Sequence, residues 1–139
     1  MRHPEYYERS LELQDKVKEY KSNKEYDKLE ETLIELIEVY SGLNFCEEDE
    51  YLEEVIECYK TLKDIYIIKK KPIEMFETYR LIIEAYDYII QRDVHEEELK
   101  QKHINELKEI YAVLKQLYAK VNIENDIKDE FPNIAEYLD

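Results

Sequence analysis

Apolar side chains recur along the chain at spacings of three and four, the period of one helix face. One stripe runs Tyr26, Leu29, Leu33, Leu36, Ile37 and Tyr40, and a second Leu52, Val55, Ile56, Tyr59, Leu62, Ile65 and Tyr66. A third passes through Ile73, Phe76, Tyr79, Ile82, Ile83, Tyr86 and Ile90, widened by Leu81, Ala85 and Tyr88. A helix apolar on most sides is a central one, with neighbours on both flanks. A fourth stripe carries Leu99, His103, Leu107, Ile110, Tyr111, Leu114, Tyr118 and Val121.

Helix-end signals divide these stripes. Pro4 suits a first helical position, where its missing N–H is lost anyway. Ser22-Asn23-Lys24-Glu25 reads as a capping box, the Ser22 hydroxyl taking the Glu25 N–H while the carboxylate reaches back. Gly42, the only glycine, stands just past Tyr40, where a left-handed residue closes a helix and Leu43 supplies the hydrophobic contact. Glu47-Glu48-Asp49-Glu50 reads as an acidic first turn, and Lys69-Lys70-Lys71 as the cationic end of the same helix. Pro72 opens the next helix, Asp93-Val94-His95-Glu96 is a second candidate box, and Pro132 opens a short terminal piece. The spacing predicts helices near 4–21, 23–41, 47–70, 72–91 and 94–121, and a weaker one from about 123 onwards. Short connections make consecutive helices antiparallel. The expected fold class is all-α: antiparallel helix pairs, about five long helices plus a short C-terminal one, in one domain. Residues 1–121 form the array, in units of about 4–41, 47–91 and 94–121, and residues 122–139 are its C-terminal capping segment.

Composition narrows the function classes. One Gly and three Pro in 139 residues are too few for the turns of a β-rich fold. A single glycine cannot build a dinucleotide or phosphate-binding loop either. With 35 Asp+Glu against 20 Lys+Arg the formal charge is −15, which repels phosphate and argues against direct nucleic-acid or anionic-membrane binding. No segment approaches the roughly 18 consecutive apolar residues of a membrane span. The start, Met1-Arg2-His3-Pro4-Glu5, lacks the apolar core of a signal peptide. Cys46 and Cys58 form no CxxC and read as free thiols of a reducing compartment, so the expected location is cytoplasmic.

Candidate chemistry is sparse. His95 and His103 share a helix face but stand about 12 Å apart by helical rise, too far to hold one metal. Neither they nor His3 belong to an HExxH or Glu-x-x-His pattern. Glu53/Glu57 and Glu74/Glu77 sit at helical spacing and read as a solvated acidic face, and no Ser or Cys has a base nearby in sequence. No catalytic residue, metal or cofactor is expected, and the chain reads as a non-enzyme. Most of the 14 tyrosines lie on the stripes as core and boundary packing. Tyr6, Tyr7 and Tyr88 lie off the best stripes and are candidate contact residues.

The chain also matches itself at a fixed offset. Thr32-Leu-Ile-Glu-Leu-Ile-Glu-Val-Tyr40 returns as Thr78-Tyr-Arg-Leu-Ile-Ile-Glu-Ala-Tyr86, shifted by 46, as Tyr20 is to Tyr66. Leu62-Lys-Asp-Ile-Tyr66 recurs as Leu107-Lys-Glu-Ile-Tyr111, shifted by 45. Two helix pairs and a third first-helix result, with the tail where its partner would stand. Within a unit, Tyr59-x2-Leu62-Lys63-x2-Tyr66 followed by Met75-x3-Tyr79 and Ile82 resembles the tetratricopeptide pattern W-x2-L-G-x2-Y…A-x3-F. Asn23-Lys24-Glu25-Tyr26 resembles that family's inter-helix turn. The family's unit is 34 residues, so a period of 46 lengthens each helix by nearly two turns. Lys63, Leu29 and Met75 replace the small residues and hold the helices further apart. The resemblance covers residues 10–120 and implies a right-handed tetratricopeptide-like array; an up-and-down bundle is the alternative.

In that family the first helix of each pair lines a concave groove. The resemblance therefore implies Gln14, Lys18 and Lys21, then Lys60, Asp64 and Ile67, as the partner-binding face, with Lys63 beside it. Lys69-Lys70-Lys71 with Arg80 is the one basic cluster, a helix-dipole complement or an anchor for an acidic peptide. The family's carboxylate clamp is unmatched, because Lys18 and Asp64 stand where asparagine is expected. The expected function is a non-enzymatic scaffold, adaptor or assembly subunit that binds a protein or peptide, with homo-oligomers possible. The alternative is an acidic effector that binds a basic partner, as histone chaperones and nucleic-acid mimics do.

Overall fold

The computed structural model describes residues 3–138; Met1, Arg2 and Asp139, and so the first two residues of the start read above, lie outside them. The described residues are all-helical, with α1 (His3–Ser22), α2 (Tyr26–Cys46), α3 (Leu52–Ile68), α4 (Pro72–Arg92), α5 (Glu97–Lys120) and α6 (Ile127–Glu130), then a 3-10 turn at Ala135–Tyr137. None of these helices is long and apolar enough to cross a membrane. The chain forms two compact units, Met1–Met75 and Phe76–Asp139, the division falling inside α4.

Lysine and asparagine, not glycine, close three of the helices. At the end of α1 the Glu25 amide donates to the Tyr20 carbonyl (2.9 Å) and the Lys24 amide to that of Lys21 (3.2 Å), with Lys24 at φ 56°. At the end of α3 the Lys71 amide donates to Tyr66 (2.9 Å) and Lys70 to Ile67 (3.2 Å), with Lys70 at φ 57°. α5 ends alike, Ile123 donating to Tyr118 (3.0 Å) and Asn122 to Ala119 (3.4 Å), with Asn122 at φ 55°. This is the Schellman arrangement, which satisfies the last carbonyls of a helix. A left-handed non-glycine residue costs about 1–2 kcal/mol, offset here by two hydrogen bonds per turn. The first two reversals lie 46 residues apart, and α2 and α4 are each 21 residues long, beginning at 26 and 72.

Four expected ends differ from the structure. The Ser22 capping box does not form: Ser22 is the last residue of α1, and Glu25 caps α2 without a side-chain bond. Gly42 does not close α2, which runs through it to Cys46, and its φ is not positive. The 47–50 run is the connection between α2 and α3 rather than a first turn, with Glu48 and Asp49 left-handed at φ 50° and 65°. Buried Asn44 organises it, accepting the Asp49 amide on its carbonyl (3.0 Å) and the Tyr51 amide on Oδ1 (2.6 Å). The Asp93 box is absent too. Its carboxylate accepts instead from Arg92 Nε (2.8 Å) and Nη2 (2.9 Å), and α5 starts at Glu97.

In the first unit α1, α2 and α3 run alternately up and down. Arg9 Nε donates to Glu35 (2.7 Å), and the Lys28 ammonium stands 5.7 Å from the Tyr20 ring centre, which fixes α1 against α2. Tyr66 Oη donates to Glu30 (3.0 Å) across α2 and α3. Leu13, Leu29, Leu33, Leu43, Leu62 and Ile65 fill the core, each contributing roughly 2 kcal/mol by burial.

In the second unit α4 and α5 are antiparallel. Phe76 and Tyr118 stack at 5.2 Å with 5° between their planes, and Tyr86 Oη lies 3.3 Å from a Glu106 oxygen. His103 is buried at 1% exposure, its Nδ1 3.4 Å from Asp93 Oδ2. The stripes hold with local exceptions: Ile73, Leu81, Tyr88, Leu99 and Val121 are exposed. The tail buries Ile127, Phe131, Ile134 and Leu138, with spacings of four, three and four.

Candidate interaction surface

Tyr7, Leu11, Gln14, Lys18 and Lys21 follow one another on α1 at spacings of four and three, so they share one face. Tyr7 and Leu11 are 46% and 45% exposed, Gln14 is half-buried, and both lysines are exposed. Leu13 and Val17, about a quarter-turn round the helix, belong to the core, so the line borders the buried stripe.

The face has a structured base where α1, α2 and α3 meet. Gln14 Nε2 donates to Tyr40 Oη at 2.9 Å. Tyr40 is buried and stacks on Tyr51 at 5.8 Å and 18°. Burial pushes the Tyr40 phenol up to about 12, helped by the negative fields of Cys58 and Glu54 on α3 and opposed by the Gln14 hydrogen bond. Tyr51 is raised as well, first by burial, then by Glu47 and Glu50, with Tyr7 among its neighbours. Gln14 thus holds Tyr40 of α2, whose phenol stays a neutral hydrogen-bonding group, while Tyr7 approaches Tyr51 at the start of α3.

On α3 the charged candidates are already engaged, and the apolar one is exposed. Lys60 Nζ lies 3.7 Å from Glu57, Lys63 Nζ is 2.9 Å from Asp64, and Ile67 is 48% exposed. Arg80 belongs to the second unit, where it pairs with Glu130 of the tail. Lys69 is held by Asp27 and by Glu30 (2.8 Å), and these hydrogen bonds raise its pKa. Glu30 titrates low although burial opposes it, because Lys69 and Tyr66 both donate to it; Tyr66 is pushed up to about 12, by burial first and Glu30 second. A cleft of about 470 Å3 opens beside this group, lined by Lys24, Glu25, Tyr26, Asp27, Lys28 and Lys69.

Elsewhere the chemistry is muted. Cys58 is buried, and burial pushes its thiol up to about 12, so the nucleophilic thiolate is suppressed. Asp93 titrates low because Arg92 donates to it, with burial opposing. Among the described residues no three His, Cys, Asp or Glu side chains are grouped to hold a metal ion. Sequence reasoning named Gln14 for its place in the repeat but missed Tyr40 and Tyr51 beneath it, since both sit on ordinary apolar stripes or their edges. No family model matches the chain, and no curated protein or solved structure is significantly similar to it.

Proposed function

We propose that this chain is a non-enzymatic interaction scaffold, an adaptor or assembly subunit, that engages a protein or peptide through the α1/α3 face of its first unit. The observation that carries the reading is the α1 line from Tyr7 to Lys21. It runs from two exposed apolar side chains, Tyr7 and Leu11, through Gln14, which sits on Tyr40, to two lysines; an exposed tyrosine is the kind of anchor that protein interfaces enrich. A tetratricopeptide-like repeat, supported by two equal helices and two like reversals offset by 46, would turn α1 and α3 toward a common groove. Two free cysteines suit a reducing, cytoplasmic setting. Capture from the host's lysate tests it. A stoichiometric partner should survive ~0.5 M salt, where long-range charge attraction is screened, and should be lost with Lys18→Glu/Lys60→Glu. Retention by that variant would remove the face from consideration.

A second reading, an acidic effector for a basic partner, is favoured by the exposed Glu48-Asp49-Glu50 turn. It requires capture of basic proteins only, released at modest salt.

A further inference from the structure

Three antiparallel helices have two tips, and in the first unit the tips differ in charge. One gathers the start of α1, the end of α2 and the turn into α3, where residues 3–9 and 40–55 hold eight acids against one base, Arg9. At the other, residues 19–29 and 67–75 hold six lysines against four acids. Helix dipoles favour part of this, since α1 and α3 both begin at the acidic tip and end at the lysine tip. They do not account for the apolar groups. Phe45 is 91% exposed at the acidic tip, while Ile68 and Ile73 are 52% and 69% exposed at the lysine tip. An aromatic ring left almost wholly in water beside four consecutive acids fits a surface that is both apolar and basic. The same chain carries such a surface at its opposite tip.

We infer that the first unit associates head to tail with a second copy of the chain. Phe45 and the 47–50 turn of one copy seat against Ile68, Ile73, Lys70 and Lys71 of the next. Each copy uses a different tip, so the contact is heterologous: a pair still has one free tip at either end and can lengthen. The charges govern encounter and salt dependence, and the apolar side chains supply the buried area. The inference goes beyond the α1/α3 face, and none of the contact residues it names belongs to that face.

Sedimentation of the full chain over a concentration series tests it. The salt levels are about 0.02 M and about 0.5 M, where the Debye length falls from roughly 20 Å to roughly 4 Å. At low salt the average mass should rise with concentration, and at high salt it should return to 17.1 kDa. Phe45→Ala/Glu48→Lys and Ile68→Ala/Lys70→Glu each disable one tip, so each should remain at 17.1 kDa alone. Their equimolar mixture should form a two-chain species and nothing larger. A wild-type chain that stays monomeric at low salt, association indifferent to salt, self-association by either variant, or a mixture that does not pair would overturn the inference. Lys18→Glu/Lys60→Glu should associate like wild type, which separates this contact from the partner face.

Discussion

The ring of Tyr6 lies so close to Gly42 that a methyl group on the glycine would stand 2.5 Å from the ring Cζ and 2.6 and 2.8 Å from the two Cε atoms. α1 and α2 therefore touch at this tip because position 42 has no side chain. A glycine inside a helix costs roughly 0.5–1 kcal/mol relative to alanine, and the tyrosine contact is what the chain retains for it. Tyr6 is partly buried against the core, so its ring would have to shift within that packing to admit a methyl group at 42.

Gly42→Ala should consequently change sign with its background. In the natural chain it should destabilise by about 1–2 kcal/mol, the overpacking exceeding the gain in helix propensity. In a Tyr6→Ala chain the same change should stabilise by about 0.5–1 kcal/mol. Urea unfolding of the four chains in the double-mutant cycle reads the coupling directly. Alanine stabilising both backgrounds would mean that the ring is not held where it lies.

The two units can be tested separately through residues read as core from periodicity. Leu36 is 3% exposed and Ile83 fully buried, one in each unit. Leu36→Asp or Ile83→Asp buries an unpaired carboxylate, a cost of several kcal/mol against a total stability of about 5–15 kcal/mol. Each should abolish the helical circular-dichroism signal of its own unit. Retention of the full signal would contradict the stripe to which that residue belongs.

How much was legible depends on whether a feature is local. The apolar stripes and the Pro72 helix start could be read because helical period and proline geometry act within one turn. The bounds of α1, α4 and α5 came within three residues of the observed ones, but the α2–α3 junction and the chemistry that closes the helices could not be read. Lys24 and Lys70 are left-handed because hydrogen bonds back to Tyr20 and Tyr66 stabilise them, and nothing in lysine announces that. Gly42 looked like a helix stop because its purpose, a ring from α1, lies 36 positions away in sequence. Arg80 was grouped with the nearest lysines, but its partner Glu130 is fifty residues on. Of the candidate face, periodicity supplied the line of residues on α1. The Tyr40–Tyr51 stack beneath it depends on how the 47–50 connection folds back on the end of α2, which helical period does not announce.

Thiol and phenol titrations report on the same interior. Cys46 is exposed, whereas Cys58 is buried with its thiol pushed up to about 12. At about pH 8 an aromatic disulfide reagent should label one thiol in the native chain and the second only after unfolding, because thiolate is the reactive form. Fast labelling of both would show that α3 is open at Cys58.

Alkaline pH should weaken the fold through Tyr40 and Tyr66. Both phenols are pushed up to about 12 by burial, against about 10 in an unfolded chain. The folded state holds protons that the unfolded state releases. Their contribution is therefore intact below about pH 10 and lost as pH rises through about 12. Tyr40→Phe and Tyr66→Phe should flatten that decline in urea midpoints measured across the interval. An unchanged slope in both variants would place the alkaline loss elsewhere.

The C-terminal segment separates burial from charge as the force that holds it. Phe131 is 6% exposed and Ile134 fully buried, while the Arg80 side chain in the Glu130 pair is 51% exposed. An exposed ion pair contributes about 0–1 kcal/mol, whereas truncating a buried phenylalanine costs about 3–5 kcal/mol. Phe131→Ala should therefore lower the stability of the second unit several times more than Arg80→Ala in urea unfolding at ordinary salt. Tyr111 offers a second check, since its hydroxyl accepts from Asn125 Nδ2 at 2.7 Å just before the buried run begins. Tyr111→Phe should cost about 1 kcal/mol, one hydrogen bond, and leave Phe131 in place. If Arg80→Ala proved the most damaging of the three, the tail would be an electrostatic strap, and the buried Ile127–Leu138 spacing would not be what anchors it.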